Sequence, residues 1–183
     1  LKELEALIDT HRPKHASPVV LRASVAMAGV YARVDRERGV WKAPANIAVA
    51  GVTALVAQGE DNATRWHKPV PVRMDDTLNT KLVDAGINAL RAFRGQGILV
   101  WGACTMASAV KTAWRYVPVR RLFNTIERDA RAALRTVVFG PNSPVVWEQV
   151  RGALNSYLHA LWLKGALQGE TPEQAYYVHI GLG

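Results

Sequence analysis

Ile87-Asn88-Ala89-Leu90-Arg91-Ala92-Phe93 and Ile98-Leu99-Val100-Trp101 are two β-rich runs, with Arg94-Gly95-Gln96-Gly97 between them. Two glycines in a four-residue connection predict an antiparallel hairpin, because glycine takes the positive φ that tight hairpin turns require. Along the first run Asn88, Leu90 and Ala92 alternate with Ile87, Ala89, Arg91 and Phe93, so one face is expected to be wetter than the other.

Toward the C-terminus the period changes from two to that of a helix. From Pro118 to Arg135, Val119, Leu122, Phe123, Ile126, Ala130 and Leu134 recur at helical spacing, and the leading proline suits a first turn. Val137 to Phe139 reads as extended, and Gly140-Pro141-Asn142 as a break. Ser143 is a predicted N-cap with Pro144 at the first helical position, opening a helix to about Leu167. Val146, Val150, Leu154, Leu158 and Leu161 form its apolar stripe, widened by Trp147, Tyr157 and Trp162. Such girth asks for cover on more than one side. Thr171-Pro172-Glu173-Gln174 reads as a capped turn with glutamine at the capping-box distance, and Tyr176 to Leu182 as a final β run.

Toward the N-terminus the signals are weaker. Leu1 to Thr10 reads as a short amphipathic helix, His11 to Pro18 as a loop and Val19 to Leu21 as a short strand. Ala23 to Val34 is rich in small apolar residues, which predicts a tightly packed helix despite Gly29. Gly39 to Asn46 is a loop, and Val49 to Ala57 is expected to be extended. Gly59 to Asp76 reads as exposed and mobile, and Asp75 to Val83 as a short helical turn. The class is therefore mixed α/β: a β-sheet with an antiparallel hairpin packed by two long helices. The last run needs a strand partner, so sheet edges are expected to be completed by another molecule.

Composition narrows the function. The chain has 183 residues, 49% of them hydrophobic and 21% charged, which excludes a disordered tail. The longest apolar candidate for a membrane span, Ala43 to Ala57, is broken by Pro44, Asn46, Gly51 and Thr53, so no membrane insertion is expected. Cys104 is the only cysteine, which excludes an internal disulfide and a four-thiolate metal site. No histidine pair has zinc-motif spacing, and Cys104 has no nearby histidine in sequence to act as its base. Gly95-Gln96-Gly97 lacks the third glycine of a dinucleotide loop. No catalytic, cofactor-binding or metal-binding residue is assigned, and no small-molecule substrate is expected.

Charge remains. Lys plus Arg is 23 against 15 acids, a net of +8 that suits an acidic partner. Six arginines against Glu127 and Asp129 give the stretch from Arg115 to Arg135 a net of +4. Arg120, Arg128, Arg131 and Arg135 fall near one helix face as an uncompensated stripe, with Arg151 and Lys164 on the next helix as further candidates. Such a face can be solvated, can meet an acidic protein, or can bind nucleic acid, and these three readings stay open.

Several stretches resemble contractile tail sheath proteins. They are Ala28-Gly29-Val30-Tyr31-Ala32-Arg33-Val34-Asp35, Arg38 to Asn46, Gly86 to Phe93, Gly97 to Ala103, Trp114 to Val117, Val119 to Phe123, Val138-Phe139, Leu161-Trp162 with Gly165-Ala166-Leu167, and Thr171-Pro172-Glu173. The matches keep their order from about Ser24 to the end. The resemblance implies the carboxy-terminal part of a sheath subunit of a contractile bacteriophage tail, tailocin or related injection machine. Residues 1–107 would be the end of the main, subtilisin-like domain, and 108–183 the carboxy-terminal sheath domain. It implies a non-enzymatic homo-oligomer, a helical sleeve around a tail tube protein, with baseplate and tail terminator as further partners. It also implies location in the virion tail and, during assembly, the bacterial host cytoplasm. Cys104 stands where the family usually has arginine, and Arg94 where proline is common. The family continues past Gly183 with another strand, so truncation is expected here. A nucleic-acid-binding module using the same arginines is the alternative.

Overall fold

A computed structural model describes residues 19–58, 69–107 and 112–181. The elements in order are helix α1 (Ala23–Arg38), strands β1 (Val56–Gln58) and β2 (Pro69–Pro71), helix α2 (Asp76–Asp84), strands β3 (Ala89–Phe93) and β4 (Gly97–Trp101), a 3-10 turn (Thr112–Trp114), and helices α3 (Val117–Leu134), α4 (Pro144–Leu163) and α5 (Pro172–Ala175). The mixed class and the hairpin are as read. β3 and β4 pair antiparallel with Leu90 opposite Val100, and Gly95 and Gly97 both have positive φ.

Strand β4 is the centre of the N-terminal half. On its far side residues 46–49 run alongside it: Val49 N–H donates to the Ile98 carbonyl at 2.8 Å, and Val100 N–H donates to the Ile47 carbonyl at 3.0 Å. With both edges paired, Ile98, Leu99 and Val100 are all buried. Helix α1 supplies the cover. Val30 and Val34, one turn apart, pack with Val49, Ile98 and Val100 as the core. It is thus α1, rather than the long helices, that packs on the hairpin in this core. Gly39 ends α1 at φ 90°, where an added Cβ would meet the Trp41 ring at 2.5 Å.

The other face of the hairpin carries a stacked cation. Arg91 lies across from Leu99, its guanidinium 5.3 Å from the Phe93 ring centre and 5.6 Å from that of Trp101. Its charge meets Asp76 of α2 at 2.7 Å. Asp75 caps α2, accepting from Leu78 N–H at 2.7 Å.

A short clasp joins the halves. Thr105 N–H donates to the Arg115 carbonyl at 2.8 Å and Val117 N–H to the Ala103 carbonyl at 2.9 Å. The Asn88 side chain holds the start of this clasp, accepting from Cys104 N–H at 2.9 Å and donating to the Cys104 carbonyl at 2.7 Å. Gly102 sits beneath it at φ 145°, and a Cβ there would come 2.7 Å from Asn88 Oδ1.

Several expectations change. Val19 to Leu21 is exposed coil, because no neighbouring strand offers it a ladder. Val137 to Phe139 is a turn, with Gly140 N–H closing onto the Val137 carbonyl at 2.9 Å. α4 stops at Leu163, because Gly165 with φ 72° turns the chain and Ala166 N–H returns to the Leu161 carbonyl. Ser143 is the N-cap residue of α4, but its hydroxyl makes no capping bond. Gln174 accepts from Glu170 N–H at 3.1 Å, one residue before the expected cap. Tyr176 is extended at φ −160°, but residues 176–180 belong to no helix or strand among the described residues. The readings for Leu1–Thr10, His11–Pro18 and residues 59–68 lie outside the described residues.

Candidate assembly surface

Ten hydrophobic residues are buried among the described residues, whereas nineteen large ones are exposed. Each large side chain left in water forgoes about 1.5–3 kcal/mol of burial, so this surface has much to gain from cover. The long helices show the imbalance most. α3 buries only Val117 and Leu122, and α4 only Leu161.

The arginine stripe is real but not uncompensated. Arg131 meets Glu127 one turn back at 2.6 Å, and Arg128 meets Asp129 at 3.0 Å. Arg120 lies over the Trp114 ring at 4.7 Å, and Trp114 meets Phe123 edge-on at 5.0 Å. Arg135 makes no ion pair among the described residues. Arg128, Arg131 and Arg135 line one shallow depression with Asn124 and Glu127. Exposed pairs of this kind contribute about 0–1 kcal/mol, so an incoming carboxylate can exchange with them cheaply.

The structure separates Arg151 and Lys164 from that cluster. Arg151 points back into the chain, pairing with Glu148 at 2.9 Å and donating to the Ile180 carbonyl at 3.0 Å. Lys164 is the exposed C-cap residue of α4. A further arginine of α3, Arg121, is also taken: it forks onto Asp35 and stacks on Tyr31.

Residues 176–180 are the part of the surface that the sequence placed in a sheet. They lie near α3 and α4, with Tyr176, Val178 and Ile180 half-buried and Tyr177 and His179 exposed. The alternation is that of a strand. Beyond Tyr176 their backbone groups make no backbone hydrogen bond among the described residues.

The Asp129 carboxylate, shared between Arg128 and the Tyr157 hydroxyl at 2.9 Å, ties α3 to α4. Residues on either side of this tie line an apolar groove of about 290 Å³ between the helices. Neither the groove nor the tie was legible in the sequence, since both need the helix pair in place. Among the described residues no three metal-ligating side chains gather, and no helix is long and apolar enough to cross a membrane.

A thin core under a broad apolar and basic surface leaves much of this chain open to cover by other protein. Comparison with known proteins gives its kind. Residues 109–179 match the phage tail sheath C-terminal domain. Over 145 residues the chain is 27% identical to the tail sheath protein of Burkholderia phage BcepMu, a match that spans 78% of this chain and 28% of that one. Its fold is similar to the sheath of an extracellular contractile injection system, PVC, in the contracted state, with TM-score 0.76, 42% identity, and coverage of 92% of this chain and 43% of the other. It is also similar to the contracted helical sheath of the anti-feeding prophage, with TM-score 0.75, 41% identity, and coverage of 91% and 42%. The chain is of contractile-sheath type, and its C-terminal part is a phage tail sheath C-terminal domain. It spans well under half the length of these relatives.

Proposed function

We propose that the chain serves as a structural subunit of a contractile sheath, polymerising around a tail tube and contracting to drive the tube through a target envelope, without catalysis. The observation that carries this reading is the segment Tyr177–His179, whose backbone groups make no hydrogen bond among the described residues and which lies beside exposed apolar surface. Strand addition between copies would satisfy those groups and hold neighbours together while softer side-chain contacts rearrange. The same reading divides the chain at 107/108, and the family match beginning at residue 109 supports that division. It takes Arg128, Arg131 and Arg135 as contacts to acidic groups on the tube or on a neighbouring subunit. Association with a baseplate rests on likeness to the anti-feeding prophage baseplate structure, with TM-score 0.76 and 41% identity over 90% of this chain and 41% of that one. The location that follows is the tail of a virion or injection particle, with assembly in the bacterial host cytoplasm.

Electron microscopy of the protein co-expressed with its tube partner tests the reading. Helical sleeves are expected. A chain that stays solitary under every polymerising condition, yet binds DNA independently of sequence at physiological salt, would replace it with the nucleic-acid alternative.

A further inference from the structure

The turn between α3 and α4 holds an unusual pair of neighbours. Phe139 is 99% exposed and Val138 65%, although Phe139 is among the most hydrophobic residues of the chain. Close by, the groove between the helices is walled by Ala130, Ala133, Leu134, Val150, Ala153 and Leu154. Three of these six are alanines, so an aromatic ring can come near both helix backbones. Of the polar residues at the groove's edge, Tyr157 and Asp129 bond each other and Thr136 bonds the Ala133 carbonyl, which leaves Gln149 as the polar rim of a largely apolar site. Its volume of about 290 Å³ admits a phenyl ring with room for a neighbouring side chain such as Val138, since about 150 Å³ holds a benzene ring, and a buried phenylalanine removes on the order of 150–250 Å² from water. The exposure of Phe139 means that it does not fill the groove of its own chain.

We propose that Phe139 of one copy seats in the α3–α4 groove of the next copy, as a head-to-tail contact. Knob and hole adjoin at the same turn, so reciprocal insertion would close a dimer, whereas the head-to-tail contact proposed here leaves one knob and one hole free and propagates as an open helix. The occupant is a second copy because both halves of the contact are present on this chain and because the fold is that of sheaths solved as helical assemblies. The proposal rests on the sheath reading and adds to it a side-chain contact independent of strand addition.

The test uses two variants and a cross-link. Phe139→Ser removes the knob without touching the interior, and Ala153→Trp fills the hole. Each alone should weaken self-association, read by sedimentation, at least tenfold. Mixed together they should yield heterodimers that do not extend, since only one productive contact is left. In a Cys104→Ser background, a Val138→Cys chain mixed with a Gln149→Cys chain, both keeping Phe139 and Ala153, should form an intermolecular disulfide under mild oxidation. This last measurement needs only a pair of chains and stands even if Ala153→Trp fails to fold. Sleeves formed normally by Phe139→Ser would overturn the contact and leave the sheath reading intact. Absence of the cross-link, or wild-type assembly that stops at a dimer, would also overturn it. Failure of wild-type sleeves alongside a positive cross-link would count against the sheath reading alone.

Discussion

Asp35 and Arg121 lie 86 positions apart and meet in a two-pronged ion pair, with Arg121 Nη1 2.8 Å from Asp35 Oδ1. Arg121 also stacks on Tyr31, its guanidinium 4.8 Å from the ring centre. The last turn of α1 is thereby pinned to the first turns of α3, across the clasp formed by 103–105 and 115–117. Both side chains are about 30% exposed, so the pair is stronger than a surface bridge and less costly to desolvate than a buried one. A double-mutant cycle with Asp35→Asn and Arg121→Met should return a coupling of ~1–2 kcal/mol in urea unfolding. Arg121→Lys should not restore it, because an ammonium offers neither the fork nor the flat stack. A coupling near zero would show that the two segments are held by backbone alone.

Gly102 and Asn88 form a second joint. At φ 145° glycine is at ease, and any side chain would strike Asn88. Gly102→Ala should cost about 1–3 kcal/mol from strain and collision. Asn88→Ala, which leaves both backbone groups of Cys104 without their partner, should cost about 1 kcal/mol. Thermal unfolding distinguishes these from Gly152→Ala in α4, where nothing lies near the new Cβ and stability should rise.

The tie between the long helices predicts two pH effects. Burial first, and the bond to Asp129 second, push Tyr157 up to about 12 from its ordinary value of 10.0. The folded chain then keeps a proton that the unfolded chain has shed, so this stabilisation is intact below about pH 10 and is lost between about pH 10 and 12. Asp129 is held below its usual range, chiefly by the Tyr157 hydroxyl and next by Arg128. Its contribution is present above the ordinary carboxylate pKa and disappears as pH falls through the lowered value. Tyr157→Phe should abolish the alkaline slope and move the Asp129 titration upward in carboxyl NMR. An unmoved Asp129 would mean that the hydroxyl does not act on it.

Strand addition at 176–180 has its own signature. Tyr177 is 88% exposed, so Tyr177→Pro removes a backbone donor at little cost to packing. Circular dichroism and the unfolding midpoint of the monomer should stay as they are, while sleeve formation fails. Tyr177→Ala, which keeps the N–H, should still assemble.

Charge reversal separates the arginine cluster from both. Arg128→Glu with Arg131→Glu should lower assembly on the tube and flatten its salt dependence, since surface charges act through a screened field. Assembly identical at all salts would remove these residues from the interface.

The hairpin, the α1 segment and the two long helices were legible in the residues themselves, because hydrophobic period and glycine or proline punctuation act locally. So was the family, since short motifs in fixed order survive without any geometry. Placement was not. That α1 covers β4, that residues 46–49 complete its other edge, and that Arg121 and Arg151 are spent on Asp35 and Ile180 all depend on contacts between distant positions. The sequence treated the arginines of α3 as one stripe; the fold sorted them by the neighbours it brought within reach. Tyr176 to Ile180 shows the divide most sharply. Its residues alone set a strand-like alternation, but a ladder needs a second chain segment at hydrogen-bond distance; that is decided by tertiary structure, and none pairs there among the described residues.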